Sequence, residues 1–139
     1  MGEMGRRVFL SYVRQDAELA NVIADRLGRA GFDAWSDRRV QVGELWEDAF
    51  EDAVRNADIY IILASPEALE SNASFFEIGI ALGRVAMEKH VRVVPVLVRG
   101  VKWMELPKVL RRYAGIDGSG MSPAELADEI GAALAAVAA

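Results

Sequence analysis

Along this chain, short continuous apolar runs alternate with longer stretches in which apolar residues recur every three or four positions. Val8-Phe9-Leu10, ending in Ser11-Tyr12, predicts a first strand covered on both faces. Leu19, Ala20, Ile23, Leu27 and Ala30 keep helical spacing, which predicts a helix capped at its start by Asp16 and stopped by Gly31. Phe32 to Ser36 predicts a second strand whose mixed polarity suits a sheet edge. Residues 37–43 form a charged connection without periodicity, after which Leu45, Ala49, Phe50, Ala53 and Val54 predict a second helix from about Glu44.

Ile59 to Ala64 is β-branched and aromatic with no polar alternation, so it belongs in the middle of a parallel sheet, and it ends at Ser65-Pro66. Beyond it, Phe75, Ile78, Leu82 and Val85 predict a helix with a core-facing stripe, and Glu77 falls beside that stripe. Val91 to Val98 predicts a fourth strand. Pro95 lacks a ladder donor and so marks a bulge or a partly unpaired edge within it. Trp103 to Arg112 is a weakly patterned connection, and Ala114-Gly115-Ile116 predicts a short fifth strand. Ser122-Pro123-Ala124-Glu125 reads as a capping box with proline at the first helical position, opening the last helix.

Strands alternating with helices imply right-handed βαβ units. The expected fold is α/β: a flavodoxin-like open parallel five-stranded sheet, order 2-1-3-4-5, with helices on both faces. In that order the topological switch point lies between strands one and three, and ligands bind there at the carboxyl ends of the strands. The loop Ser11-Tyr12-Val13-Arg14, the strand-three end at Ser65, and the helix start with Glu77 all project into that crevice.

Composition narrows the picture. With 139 residues, 53% of them hydrophobic, the chain makes a single domain over 1–139, either a protein of its own or the N-terminal domain of a longer one. The absence of cysteine excludes disulfides and thiolate metal sites, and no other metal-ligand cluster is apparent. A net charge of −5 argues against direct nucleic-acid binding. No apolar stretch approaches the roughly 20 residues of a membrane span, and the start lacks the apolar run of a signal peptide. A cytoplasmic protein is expected.

Glu77 is the candidate for chemistry, and two readings compete for it. Ser74-Phe75-Phe76-Glu77 fits a capping box, in which both side chains satisfy backbone amides. The same carboxylate also stands at the best-placed cleft of the fold, where it can stabilise a developing positive charge. The readings agree only if the carboxylate leaves the cap when substrate arrives. Around it, Ser11, Tyr12, Ser65 and Ser74 are candidates for binding substrate hydroxyls or phosphate, each with a local alternative as a turn, cap or packing residue. Arg14, Arg38 and Arg39 have the forked donors that suit a pyrophosphate, although a solvated surface arginine looks the same in sequence. Asp37 either orients the loop after strand two or contacts the nucleoside. Trp35 and Trp46 read as packing residues, and His90 as a helix-end cation. No G-x-G-x-x-G follows strand one, so a resident redox dinucleotide is disfavoured.

Four boxes in order carry a resemblance: Val8-Phe9-Leu10-Ser11-Tyr12, Phe32 to Gly43, Asp58 to Ser65, and Phe76-Glu77-Ile78-Gly79-Ile80-Ala81. Together they resemble the Toll/interleukin-receptor (TIR) domain in its bacterial form. The resemblance implies a domain that assembles with its own kind or cleaves NAD+ at the nicotinamide–ribose bond, with Glu77 catalytic. NAD+ or a related nucleotide is then a consumed substrate and not a cofactor. The products would be nicotinamide with ADP-ribose or a cyclised form, in bacterial defence, innate immunity or signalling. The main alternative is a non-catalytic homotypic TIR scaffold. A phospho-receiver domain is disfavoured because strand three ends in Ala64-Ser65 and not in an acceptor aspartate. A nucleoside deoxyribosyl-transferring enzyme of related fold is the remaining option.

Overall fold

A computed structural model gives the architecture, and it describes residues 6–35, 43, 52, 53, 55–70 and 92–138. Five strands, β1 (Arg7–Ser11), β2 (Asp33–Trp35), β3 (Ile59–Ala64), β4 (Arg92–Leu97) and β5 (Ile116–Asp117), form one sheet in the order β2-β1-β3-β4-β5. All four pairings are parallel, so the fold is the expected flavodoxin-like one.

The apolar runs of β1 and β3 divide by parity between two cores, as a period of two requires. Val8, Leu10, Ile59, Ile61 and Leu63 face one side, where they meet α1 (Ala17–Arg29) and the last helix. Phe9, Tyr60, Ile62 and Ala64 face the other, with Ala68, Leu106 and Leu110. Every residue of β3 is buried, which places it in the middle of the sheet. Trp35 stacks on Phe9 at 5.1 Å between ring centroids and so packs as expected.

Local signals set the ends of several elements. Gly31 sits at φ +98. Phe32 N donates to Leu27 O and Gly31 N donates to Gly28 O, the paired bonds of a Schellman stop. Ala30 is exposed because it is the C-cap and lies past the core-facing stripe. At the last helix the Ser122 amide donates to Glu125 Oε1 at 2.8 Å, and the Glu125 amide donates to Ser122 Oγ at 3.1 Å. The capping box therefore forms, with Pro123 as the first helical residue.

Three expectations need correction. Asp16 precedes α1, but its side chain caps nothing there; a 3-10 turn over Arg14–Asp16 turns the carboxylate inward. A short helix, α2 (Pro66–Glu70), follows β3 directly. The connection after β4 also has structure: a 3-10 turn at Trp103–Glu105 and α3 (Lys108–Arg111), whose few apolar residues are too short a sample to show a period. With the last helix named α4 (Pro123–Ala138), α1 and α4 lie on one face, joined by Arg26 donating to both oxygens of Asp128.

Pro95 marks a partly unpaired edge and not a bulge. Register with β3 runs unbroken from Arg92 to Leu97, while pairing with β5 begins only at Val96. Gly115 lies against the Pro95 carbonyl at this point; a Cβ on it would stand 2.1 Å from that oxygen.

Candidate functional site

The carboxyl ends of β1, β3 and β4 converge on one polar cluster in an otherwise apolar setting. Asp16 and Ser65 are among the few buried polar residues, at 1% and 0% exposure. Ser65 Oγ donates to Asp16 Oδ2 at 2.5 Å and accepts from the Ala68 amide at 3.1 Å. Arg99 Nη2 donates to Asp16 Oδ1 at 2.6 Å and to Glu67 Oε1. Asp16 follows β1, Ser65 ends β3 and Arg99 follows β4, so the ion pair bridges over the end of β3. The span is two strand spacings, about 10 Å.

The hydroxyl of Ser65 has one proton, and Asp16 holds it. Ser65 therefore orients the Asp16 carboxylate and caps the first turn of α2 at once. A buried carboxylate needs such donors, since an unpaired one would carry a heavy desolvation cost. The Arg99 hydrogen bonds hold the Glu67 carboxyl below its usual range, and the two carboxylates push the Arg99 guanidinium further up. On the far core face, burial and then the nearby Asp58 carboxylate push the Tyr60 phenol up to about 12.

The backbone that presents Arg99 is unusual. Val98 O accepts from Val101 N, and the two central residues have φ +51 at Arg99 and φ +87 at Gly100. Positive φ at both positions is the pattern of a type I′ turn, where Asn-Gly is the favoured pair. Arginine has no local hydrogen bond to offset left-handed backbone. It is held there by its two carboxylate partners.

Of the sequence candidates, Ser11, Tyr12 and Arg14 lie at the end of β1, next to Ser65 at the end of β3. Ser11 is buried, Tyr12 packs against the α1 core and Arg14 is exposed. Asp37, Arg38, Arg39, Ser74 and Glu77 lie outside the described residues, as do Trp46 and His90. Three members of the cluster were not anticipated as site residues. Asp16 reads as a cap in sequence, while Glu67 and Arg99 carry no signal beyond charge next to a strand end. A separate cavity of about 390 Å³, lined by Val93, Tyr113, Gly115 and Leu134 among others, opens at the amino half of β4. It lies away from the carboxyl edge and is walled mainly by apolar groups.

The sequence model of the TIR domain family matches residues 8–134, nearly the whole chain. This chain belongs to the TIR domain family. The stimulator of interferon genes protein of Magallana gigas is 34% identical over 111 residues, covering 78% of this TIR domain and 27% of that protein. Among solved structures, a metazoan TIR-STING receptor from C. gigas in complex with 2′,3′-cGAMP is 29% identical with a TM-score of 0.74. It covers 96% of this chain and 41% of its own. The TIR domain of a Toll-related receptor from Hydra magnipapillata has a TM-score of 0.58 at 22% identity, covering 79% of this chain and 83% of its own, a likeness of fold. The TIR domain thus spans about a quarter of the curated relative's length and less than half of the receptor's. No helix among the described residues is long and apolar enough to cross a membrane.

Proposed function

We propose that this TIR domain cleaves NAD+ at the nicotinamide–ribose bond, with Glu77 as the carboxylate beside the ribose. The observation that carries the reading is the extent of the family match. Residues 8–134 take in both the loop after β1 and the Phe76-Glu77-Ile78-Gly79 motif, and the strand order sets the end of β1 beside the end of β3, where the fold class binds ligands.

The chemistry asks little of the protein. The bond from C1′ to the ring nitrogen breaks with its electron pair going to the nitrogen, so a cationic ring leaves as neutral nicotinamide and needs no general acid. Positive charge moves onto the ribose as an oxocarbenium-like species. A carboxylate nearby stabilises that charge, and hydrogen bonds to the ribose hydroxyls strengthen as it develops. Water then adds to C1′ and releases a proton, giving ADP-ribose; attack by a nitrogen of the adenine in its place gives a cyclised product. A role in defence signalling accords with the name of the M. gigas relative, and homotypic assembly of TIR domains belongs to the same reading.

The test is nicotinamide release from NAD+ by purified protein, with Glu77→Gln as the control. Glutamine still fills the capping position but carries no charge. Release by the wild type and its loss in the variant, with thermal stability kept, supports the reading. Turnover retained by Glu77→Gln leaves Glu77 as a cap only. No release by the wild type at any protein concentration leaves the homotypic scaffold.

A further inference from the structure

We infer that Arg99 is an anion-binding residue of the crevice, taking the pyrophosphate of a nucleotide, and that Glu67 occupies its place until that anion arrives. The identity of the ligand rests on the nucleotide reading above; the site itself rests on the geometry of Arg99.

Both carboxylate partners bond to a single nitrogen, Nη2. Among the described residues, Nη1 and Nε of Arg99 have no partner, and their three N–H groups suit a further acceptor. A phosphate oxygen pair matches that remaining edge. The Arg99 side chain is 45% exposed, so a ligand can reach the residue from solvent.

The two carboxylates differ in what they can do. Asp16 has a fully buried side chain and is tied to Ser65, so it is a fixed anchor that aims the guanidinium. Glu67 is 39% exposed and sits on a five-residue helix. Its pair with Arg99 is the kind that solvent weakens and an incoming anion can replace. The backbone agrees: a type I′ turn that favours asparagine keeps an arginine at φ +51. Left-handed backbone at a bulky residue is costly, and such conformations gather where a side chain is needed in one place. A purely structural bridge would not need Glu67, since Asp16 alone already joins β1 to β4.

A placeholder and a structural bridge predict opposite signs, and this makes the inference testable. Binding of ADP, inorganic pyrophosphate and adenosine is measured by calorimetry on the whole chain, with thermal melts to confirm folding. Arg99→Gln should weaken ADP about tenfold, the loss expected for charge-assisted bonds to a phosphate, and leave adenosine unchanged. Arg99→Lys should recover part of that loss, since it keeps the charge without the fork. Glu67→Gln should tighten ADP by roughly two- to fivefold, because it removes a competitor worth no more than an exposed ion pair. Pyrophosphate that responds to these variants as ADP does supports a site for the anion itself.

ADP binding that is unchanged in both Arg99→Gln and Glu67→Gln overturns the inference, and nicotinamide release by the wild type would then leave the enzyme reading intact. Weaker ADP binding in Glu67→Gln also overturns it, since that is the sign of a structural bridge. Arg99-dependent ADP binding in a protein that releases no nicotinamide would keep the anion site and remove the enzyme reading.

Discussion

Ser65 gives its only hydroxyl proton to Asp16 across 2.5 Å, although 49 positions separate the two residues in the chain. Both are buried, so neither has water as a substitute partner. Asp16→Ala should therefore destabilise the protein by about 2–4 kcal/mol, and Ser65→Ala by about 1–3 kcal/mol, the range for buried hydrogen bonds to a charged group. Urea titration measures both. The double variant should cost less than the sum of the singles; additive losses would mean that the contact carries no energy of its own.

Two glycines should respond to alanine with opposite signs. At Gly115 a Cβ would meet the Pro95 carbonyl at 2.1 Å and the Trp103 ring at 2.6 Å, so Gly115→Ala must push β4 and its neighbour apart. A loss of about 1–3 kcal/mol is expected from such overpacking. Amide exchange at the end of β4, where β5 pairs, should speed up more than exchange in β1. At Gly131, inside α4, the nearest atom to a new Cβ is 3.8 Å away. Gly131→Ala should stabilise by roughly 0.5–1 kcal/mol through helix propensity alone, visible as a rise in Tm.

The Tyr60 phenol supplies an alkaline limit. Its folded pKa of about 12 lies above the ordinary phenol value of 10.0, so the neutral form is the one the fold favours. Stability from this group is complete below pH 10 and disappears as pH rises through about 12. Tyr60→Phe should flatten that part of the stability curve. An equal alkaline slope in the phenylalanine variant would assign the loss to other groups.

Glu67 sets the opposite limit. Its carboxyl titrates below its usual range because Arg99 hydrogen-bonds the charged form. Its contribution is present above the ordinary carboxylate pKa and is lost as pH falls through the depressed one. In Glu67→Gln the acid limb of the stability curve should be shallower, a small difference given how exposed the pair is. A steeper acid limb would contradict the assignment.

The fold was legible because its signals are local and repeated. Val8 to Leu10 and Ile59 to Ala64 send alternate residues to two cores, and only a sheet covered on both faces tolerates that composition. Gly31 and the Ser122–Glu125 box act within one helical turn and appear in the structure where the residue types place them. Asp16 was misread for the same reason. An aspartate before an amphipathic helix satisfies the capping rule, and nothing nearby reveals that its partners lie at Ser65 and at Arg99, 83 positions away. Arg99 was invisible because charge beside a strand end is common, whereas its left-handed backbone is a fact of geometry alone. Glu77, Asp37, Arg39 and Ser74 lie beyond the described residues, so their sequence reading passes to the activity assay.

The contact between α1 and α4 bears on how the protein is made. Ile23 and Leu27 share a core with Ile130 and Leu134, more than a hundred positions later in the chain. A ribosome has to deliver the chain as far as Leu134 before that face can close. Until then a β1–α1 unit presents its oily side to solvent, and the parallel strands that would shelter it also await distant partners. Nascent chains halted before Ser122 should therefore bind chaperones or aggregate, and those released after α4 should not.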